Sequence, residues 1–297
     1  PLAVVLAGAG VFFETALTLA VKDGVADEQL AAANSRLELS TQAGLLAGPA
    51  LVGVALATTG VATVLYANAL TFVVSVITLL PLRFDRTVHK GPTGDRSMVA
   101  DLREGVRYIR SHRLIRTIIG LQVVINFVVA AENLLIVYAD RGLHASPAWL
   151  GVVIAAAGAG GIAAGAVAGA LTRRFPAPYL IAWSVIGIGG SLLGMALVRT
   201  PLQLCAVNAV HGALTVFATI NIRTVRQRVV PRELLGRVTA NARTIALAAN
   251  PLGALLFGLL VQANGNDARI AFLIAGLFST ASTVVAWRGL LGRAPSG

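Results

Sequence analysis

GVVIAAAGAGGIAAGAVAGA, residues 151–170, carries no charge, no polar side chain and no proline. As a helix rising ~1.5 Å per residue, it covers the ~30 Å hydrocarbon thickness of a bilayer. Working outward, the same reading applies to nine apolar runs, at 1–21, 39–60, 62–82, 115–138, 148–171, 178–198, 201–221, 239–262 and 269–287. Each is closed by charge, glycine or proline. Hydrophobic residues make up 56% of the 297 and charged residues 12%, against roughly 25% charged in a soluble domain. In hydrocarbon every backbone polar group needs an internal partner, which leaves helices or closed barrels. A barrel strand alternates polar and apolar over ~10 residues, and these runs do not. The predicted fold class is an all-α polytopic membrane protein of about nine transmembrane helices.

The net charge of +11 raises nucleic acid as a partner, and the placement of that charge excludes it. When the gaps are assigned alternately to two sides, one side holds all the Lys and Arg except Arg141, Arg199 and Arg269. That side is predicted to be cytoplasmic, with the C-terminus on it, in a bacterial-type plasma membrane. The first run lacks a basic leader and is followed by further spans, so it reads as a span rather than a signal peptide. The chain opens at Pro1 inside that run, which reads as a fragment of a longer protein. Cys205 is the only cysteine, so no internal disulfide forms.

The longest polar interval, 83–113, is turn-rich at Gly91, Pro92 and Gly94. Val99, Leu102, Val106 and Ile109 then recur at helical spacing, with Arg103, Arg107 and Arg110 on another face. A helix lying on the anionic inner leaflet and a linker helix packed on protein both fit. The interval divides the chain into three helices of an N-terminal bundle at 1–82, a linker at 83–114 and a six-helix bundle at 115–290. Ser146-Pro147 and Thr200-Pro201 pair a capping residue with a first-turn proline. Gly161, Gly165 and Gly169 form GxxxGxxxG, and Gly190/Gly194 and Gly44/Gly48 repeat the spacing. Small residues four apart let helices approach closely in lipid, either permanently or as surfaces that slide.

Gly44-Leu-Leu-Ala-Gly48-Pro49-Ala-Leu-Val-Gly53 resembles the G-x-x-x-G-P-x-x-G-G signature of the fifth helix in drug/proton antiporters of the major facilitator superfamily. Ser35 stands at the upstream glycine and Val52 at the first of the final pair. Physically, Pro49 removes a backbone donor and bends the span. VADEQLAAANSRLE (25–38), LYANALTFVVSV (65–76) and VVPRELLGRVTANARTIALAANPLGALLFGLL (229–260) resemble the enterobactin exporter-like and macrolide efflux-like branch. The last stretch carries Gly236 and Arg237 before a span, and Pro251 and Gly253 within it. The resemblance covers essentially the whole chain as family helices four to twelve. It implies a secondary transporter exporting an amphipathic small molecule in exchange for protons, with the bilayer, that molecule and protons as partners and no cofactor. The superfamily's basic loop signature is echoed by Gly165, Arg173 and Arg174, but Gly169 stands at its aspartate position and Thr172 at its second glycine.

Charge within a span is expensive and asks for a reason. Glu14 lies mid-span among apolar neighbours in sequence. It reads as a proton carrier or a contact for a cationic substrate, with a structural ion pair as the rival. Glu132, beside Asn133, reads as a second proton candidate or a solvated bundle contact. Asn208 and His211 share a helix face, as do Gln122 and Asn126, and either pair lines a polar cavity or bonds across helices. Arg36 and Glu38 are expected to snorkel at the boundary. Arg223, Arg226, Arg228, Arg232 and Arg237 read chiefly as topology and lipid contacts, with gating ion pairs as the alternative. Histidines at 89, 112, 144 and 211 make no metal pattern, and no phosphate-binding G-x-x-x-x-G-K-[ST] loop occurs. The chain therefore reads as no enzyme and no ATP-driven pump. Uptake, sensing and a purely structural role on the same fold remain open alternatives.

Overall fold

The computed structural model describes residues 2–80 and 98–291. These form α1 (Leu2–Gly24), α2 (Leu30–Thr59), α3 (Val61–Leu79), α4 (Met98–Ser111), α5 (Arg113–Glu132), the short α6 (Leu135–Val137), α7 (Pro147–Arg174), α8 (Ala177–Leu197), α9 (Pro201–Val229), α10 (Arg232–Ala263) and α11 (Arg269–Leu291). A 3₁₀ turn, Asp27–Gln29, precedes α2, and a π turn, Tyr138–Gly142, follows α6. No strand occurs among the described residues.

Seven helical stretches among the described residues are long and apolar enough to cross a bilayer: α3, α5 with its π extension, and α7 to α11. Helices α1 and α2, of 23 and 30 residues, lie outside that seven. The outward surface is apolar: Trp183 is 62%, Leu252 64% and Val285 80% exposed. A protein in water does not carry so continuous an apolar exterior, whereas lipid solvates it. The first part of the 83–113 interval lies outside the described residues.

Helices run further than the apolar stretches. Residues 30–38 belong to α2, and only Val230 and Pro231 separate α9 from α10. Helical backbone bonds are local, so a helix need not stop where hydrocarbon ends; the polar extension of α2 packs on α9, and that of α10 on α1 and α4. Thr200 caps α9 by accepting from the Gln203 amide at 3.3 Å. Ser146 makes no such bond at the start of α7.

The main crossings of the core are α7 on α9, α8 on α11, α5 on α10, and α8 on α9, with α5 also against α11. Ile181, Ile188, Leu192, Met195, Leu204 and Phe272 fill its interior. Helix α2 lies against α7 and α9, α1 against α10, and α3 chiefly against α2.

Glycines set the closest crossings, though not always those the spacing selects. A Cβ added at Gly160 would overlap the Ala209 carbonyl, and one at Gly212 would overlap the Ala157 carbonyl. These two points clamp α7 to α9. The Gly161/Gly165/Gly169 row faces α2, with Gly161 also against α9: an added Cβ would lie 2.9 Å from Val216 of α9 and 3.2 Å from Gln42 of α2 at Gly161, 2.9 Å from Leu39 at Gly165, and 3.8 Å from Ala32 at Gly169. Gly253 meets the Phe127 carbonyl where α10 crosses α5. Gly236 sits in ordinary contact with Leu19 and Thr15 of α1. Gly44, Gly48 and Gly190 have nothing among the described residues within 4 Å of an added Cβ. On those sides of α2 and α8 no neighbour lies among the described residues. Pro49 and Gly53 lie within α2, which continues through both positions as one helix; the surroundings of both lie outside what the structure describes. Pro251 likewise sits inside an unbroken α10.

Helix α4 is docked on protein. Ile109 is buried and Asn241 donates to the Leu102 carbonyl at 3.0 Å. Arg237 of α10 pairs with Asp101 at 2.9 Å and Glu104 at 2.6 Å. Tyr108 donates to the Val229 carbonyl at 3.3 Å, and burial raises its hydroxyl pKa above the ordinary tyrosine value. Leu102 is 45% exposed, so the docked face is rotated from the row its spacing suggested and keeps Ile109 of it. Arg103, Arg107 and Arg110 are exposed.

Candidate functional site

Polar side chains gather inside this apolar bundle, and two of the centres they form hold candidate residues. The first is a cavity of about 210 Å³ among α1, α5, α9 and α10. Glu14, Gln122 and Asn126 reach it from α1 and α5, and Arg223, Arg226 and Arg243 from α9 and α10. The Glu14 carboxylate stands 3.1 Å from Arg243 and 3.7 Å from Arg223. The apolar surroundings read for Glu14 from its neighbours in sequence are thus corrected: packing brings guanidinium groups from two other helices to it. Arg226 is 6% exposed and donates to Gln122 Oε1 at 3.3 Å. Arg223 and Arg226 face the interior, which corrects their reading as lipid contacts. Asn126 donates to the Gln122 carbonyl at 2.8 Å, one turn back on its own helix.

The rest of the arginine series forms contacts between helices. Arg232 pairs with Asp23 at 2.8 Å, and Arg228 donates to the Asp27 carbonyl at 2.9 Å. Glu38 is 8% exposed and accepts from Gln42 at 3.0 Å; it points between helices, not toward the boundary expected of it. Arg173 and Arg174 are exposed in the last turn of α7.

The second centre joins residues far apart in sequence. His211 of α9, 1% exposed, places Nε2 3.4 Å from Glu132 Oε2 at the end of α5. Its Nδ1 lies 2.8 Å from Ser191 Oγ of α8, and that oxygen also lies 2.8 Å from the Ile188 carbonyl. The serine has one proton. If it goes to Ile188, His211 Nδ1 must be the donor, and Nε2 can then oppose the carboxylate only with an added proton between them. If it goes to His211, the imidazole hydrogen sits on Nε2 and faces Glu132 across 3.4 Å, a contact without a formed hydrogen bond and without an added proton. Rotation of one hydroxyl therefore separates a proton-loaded from an unloaded arrangement. Asn208, on the same helix face, instead donates to the Val153 carbonyl of α7 at 2.8 Å, a cross-helix tie.

Sequence reasoning missed a buried amide cluster. Asn34 of α2 donates to Thr224 at 3.0 Å and Gln227 at 2.6 Å on α9, and Gln227 donates to the Thr18 carbonyl of α1 at 3.1 Å. Asn34 lies outside the apolar run that begins at 39, and a polar residue there reads as loop. Asn34→Leu is expected to leave Gln227 without its acceptor role and cost about 1–3 kcal/mol. A lower midpoint of thermal unfolding in detergent is the readout, and an unchanged midpoint would remove the cluster's structural role.

Among the described residues, no group of three or more His, Cys, Asp or Glu is placed to hold a metal.

A family profile described as transmembrane secretion effector matches residues 3–294. The chain belongs to this family of major facilitator transporters. The multidrug efflux pump Tap of Mycolicibacterium fortuitum is 30% identical over 281 residues, covering 88% of this chain and 66% of its own length. Tap of Mycobacterium tuberculosis H37Rv is 28% identical over 256 residues, covering 83% and 59% respectively. The MFS-type transporter YfiS of Bacillus subtilis is 28% identical over 240 residues, covering 77% and 56%. This member of the secretion effector family thus spans less than two thirds of the length of these relatives. Two crystal structures share its fold. One is a bacterial homologue of the iron transporter ferroportin in an outward-facing state, with a TM-score of 0.66 at 17% identity over 90% of this chain and 65% of that one. The other is a variant of the E. coli fucose:proton symporter FucP, with a TM-score of 0.69 at 14% identity over 93% and 73%. Membership of a transporter superfamily, not the want of a catalytic cluster, sets the reading of a multi-pass membrane protein that does no chemistry on what it handles.

Proposed function

We propose that this chain forms part of a secondary transporter that exports a small amphipathic molecule in exchange for protons. The observation that carries the proposal is the pair of polar centres on shared helices: a cavity reached by Gln122, Arg223 and Arg226, and a Glu132–His211 pair further along the same α5 and α9. From Arg226 to His211 is 15 residues of α9, about 22 Å along the axis. A movement of α9 relative to α5 would couple the two centres, as exchange requires. The similarity to the Tap efflux pumps supports export as the direction.

The proposed orientation puts the 174–177, 230–231 and C-terminal ends in the cytoplasm. Its support is the concentration of Lys and Arg at those ends and an aromatic group beside them: the Trp287 ring centroid lies 6.1 Å from Tyr179 and 5.9 Å from Trp183. In this orientation the cavity opens in the inner half of the membrane and Glu132 lies in the outer half, 27% exposed. In the proposed division, α5 and α7 to α11 make one six-helix bundle, α1 to α3 belong to the other, and α4 ends the linker. Counting α1 and α2 as spans brings the crossings to the nine the sequence predicts.

The test is proton movement in vesicles containing the full-length protein, with an internal pH dye and a fluorescent efflux substrate. Proton flux opposite to the substrate flux, appearing only when both gradients are available, is the expected result. Substrate movement with no accompanying proton movement would remove the coupling, and substrate accumulation toward the cytoplasmic face would replace export with uptake.

A further inference from the structure

We infer that the cavity between α1, α5, α9 and α10 binds the anionic group of an amphipathic cargo, such as a carboxylate, sulfonate or phosphate. This rests on the transporter reading above and names the class of molecule that reading leaves open.

The charge balance within the cavity carries the inference. Three guanidinium groups, Arg223, Arg226 and Arg243, line it together with one carboxylate, Glu14. Glu14 is engaged by Arg243 and Arg223. Arg226 is attracted by Glu14 but repelled by both other arginines. Two positive charges are left over in a water-poor part of the bundle, where unpaired charge is costly. Two further observations mark where an acceptor belongs. Arg226 Nε is buried with no hydrogen-bond partner among the described residues, and so is the Thr239 hydroxyl, on a residue 3% exposed. Both donors belong to residues that line the cavity. Arginine presents paired N–H groups that match the two oxygens of an oxyanion.

Size and lining decide how much of the cargo sits here. About 210 Å³ is below the ~300–1,000 Å³ of pockets that enclose a drug-sized molecule. It accommodates a headgroup, with the apolar remainder lying along Ile125, Ile222, Ala246 and Leu247, which complete the wall. A cationic headgroup would meet the excess positive charge and be rejected. Glu14 then sets the strength of the site by cancelling one of three charges, which lets the anion leave again.

The test is equilibrium binding to the full-length protein in phosphatidylcholine nanodiscs, read by fluorescence anisotropy. Carboxyfluorescein serves as the amphipathic anion and rhodamine 6G as the amphipathic cation. Saturable binding of the anion, weakened about tenfold or more by Arg226→Gln and partly restored by Arg226→Lys, is expected. Glu14→Gln should tighten anion binding, whereas a purely structural Glu14–arginine lock predicts loss of folded protein. Arg226→Gln must elute as a single species to be scored; the Glu14→Gln comparison decides the matter if it does not. Competition by 10 mM inorganic phosphate would identify a shared oxyanion site and support the inference. Displacement of the dye by phosphatidylglycerol added to the nanodisc would assign the site to a lipid headgroup and overturn it. So would preferential binding of rhodamine 6G, or anion binding indifferent to both substitutions, as when a carboxylate of the full-length protein already fills the cavity. No gradient is involved, so failure of proton coupling in vesicles and failure of anion binding are separate results.

Discussion

Gly160→Val is expected to abolish recovery of a folded, monodisperse protein from detergent, and Gly212→Val to do the same. At both positions the atom an added side chain would meet is a backbone carbonyl, of Ala209 and Ala157 respectively. A side-chain neighbour can change rotamer, but a carbonyl held in a helix cannot, so the axes of α7 and α9 must separate. Overpacking a core commonly costs about 1–3 kcal/mol, and here the loss is larger because the contact is shared along two long helices. Lipid offers no hydrophobic force to push them back together; association depends on the close packing itself. Gly44→Val and Gly190→Val provide the comparison, because nothing among the described residues lies within 4 Å of either added Cβ. They are expected to elute like the wild type. Size-exclusion profiles of the four variants decide the point, and a normal profile for Gly160→Val would show that the α7–α9 crossing is not the closest constraint on the fold.

Glu132→Gln is expected to eliminate substrate-driven proton movement while leaving substrate exchange across the membrane intact. A glutamine amide can donate to His211 Nε2 permanently, imitating the loaded pair, but it cannot release the proton. The helices retain their contacts, because the substitution preserves shape and a hydrogen-bonding partner at a residue that is 27% exposed. Net transport driven by a pH gradient should therefore fall to the level of protein-free vesicles, while exchange of labelled for unlabelled substrate continues. Ser191→Ala keeps both titratable groups and removes the hydroxyl that distinguishes the two imidazole arrangements. It is expected to slow proton movement without abolishing it. Undiminished proton flux in Glu132→Gln would sink the role assigned to this pair. The corresponding Glu14→Gln variant should slow turnover by delaying release of a bound anion but keep the ratio of protons to substrate moved, because Glu14 is engaged with arginines on α9 and α10.

These expectations differ in how far the sequence foretold them. His211 and Glu132 were each visible as polar residues where hydrocarbon was predicted, since a polar group there needs a reason whatever the fold. Their meeting was not visible, because 79 residues separate them and no periodicity links α5 to α9. Arg226 shows the opposite case. As one of a run of arginines near a predicted boundary it reads as a topology signal, and only the packing of α1, α5 and α10 around α9 encloses it. Asn34 carried no signal at all, because it precedes the apolar run and its partners are 190 and 193 residues away.

Composition, run length and the one-sided placement of Lys and Arg determined by themselves that this is a helical membrane protein, because hydrocarbon tests each segment separately for length, charge and satisfied backbone. The motifs added the superfamily. Only the tertiary structure decided which glycines touch, which arginines face inward and which carboxylate meets a histidine. Those outcomes depend on the rotation of each helix about its axis and on its neighbours, and a nearly uniform apolar sequence such as 151–170 has too small an amphipathic bias to specify either.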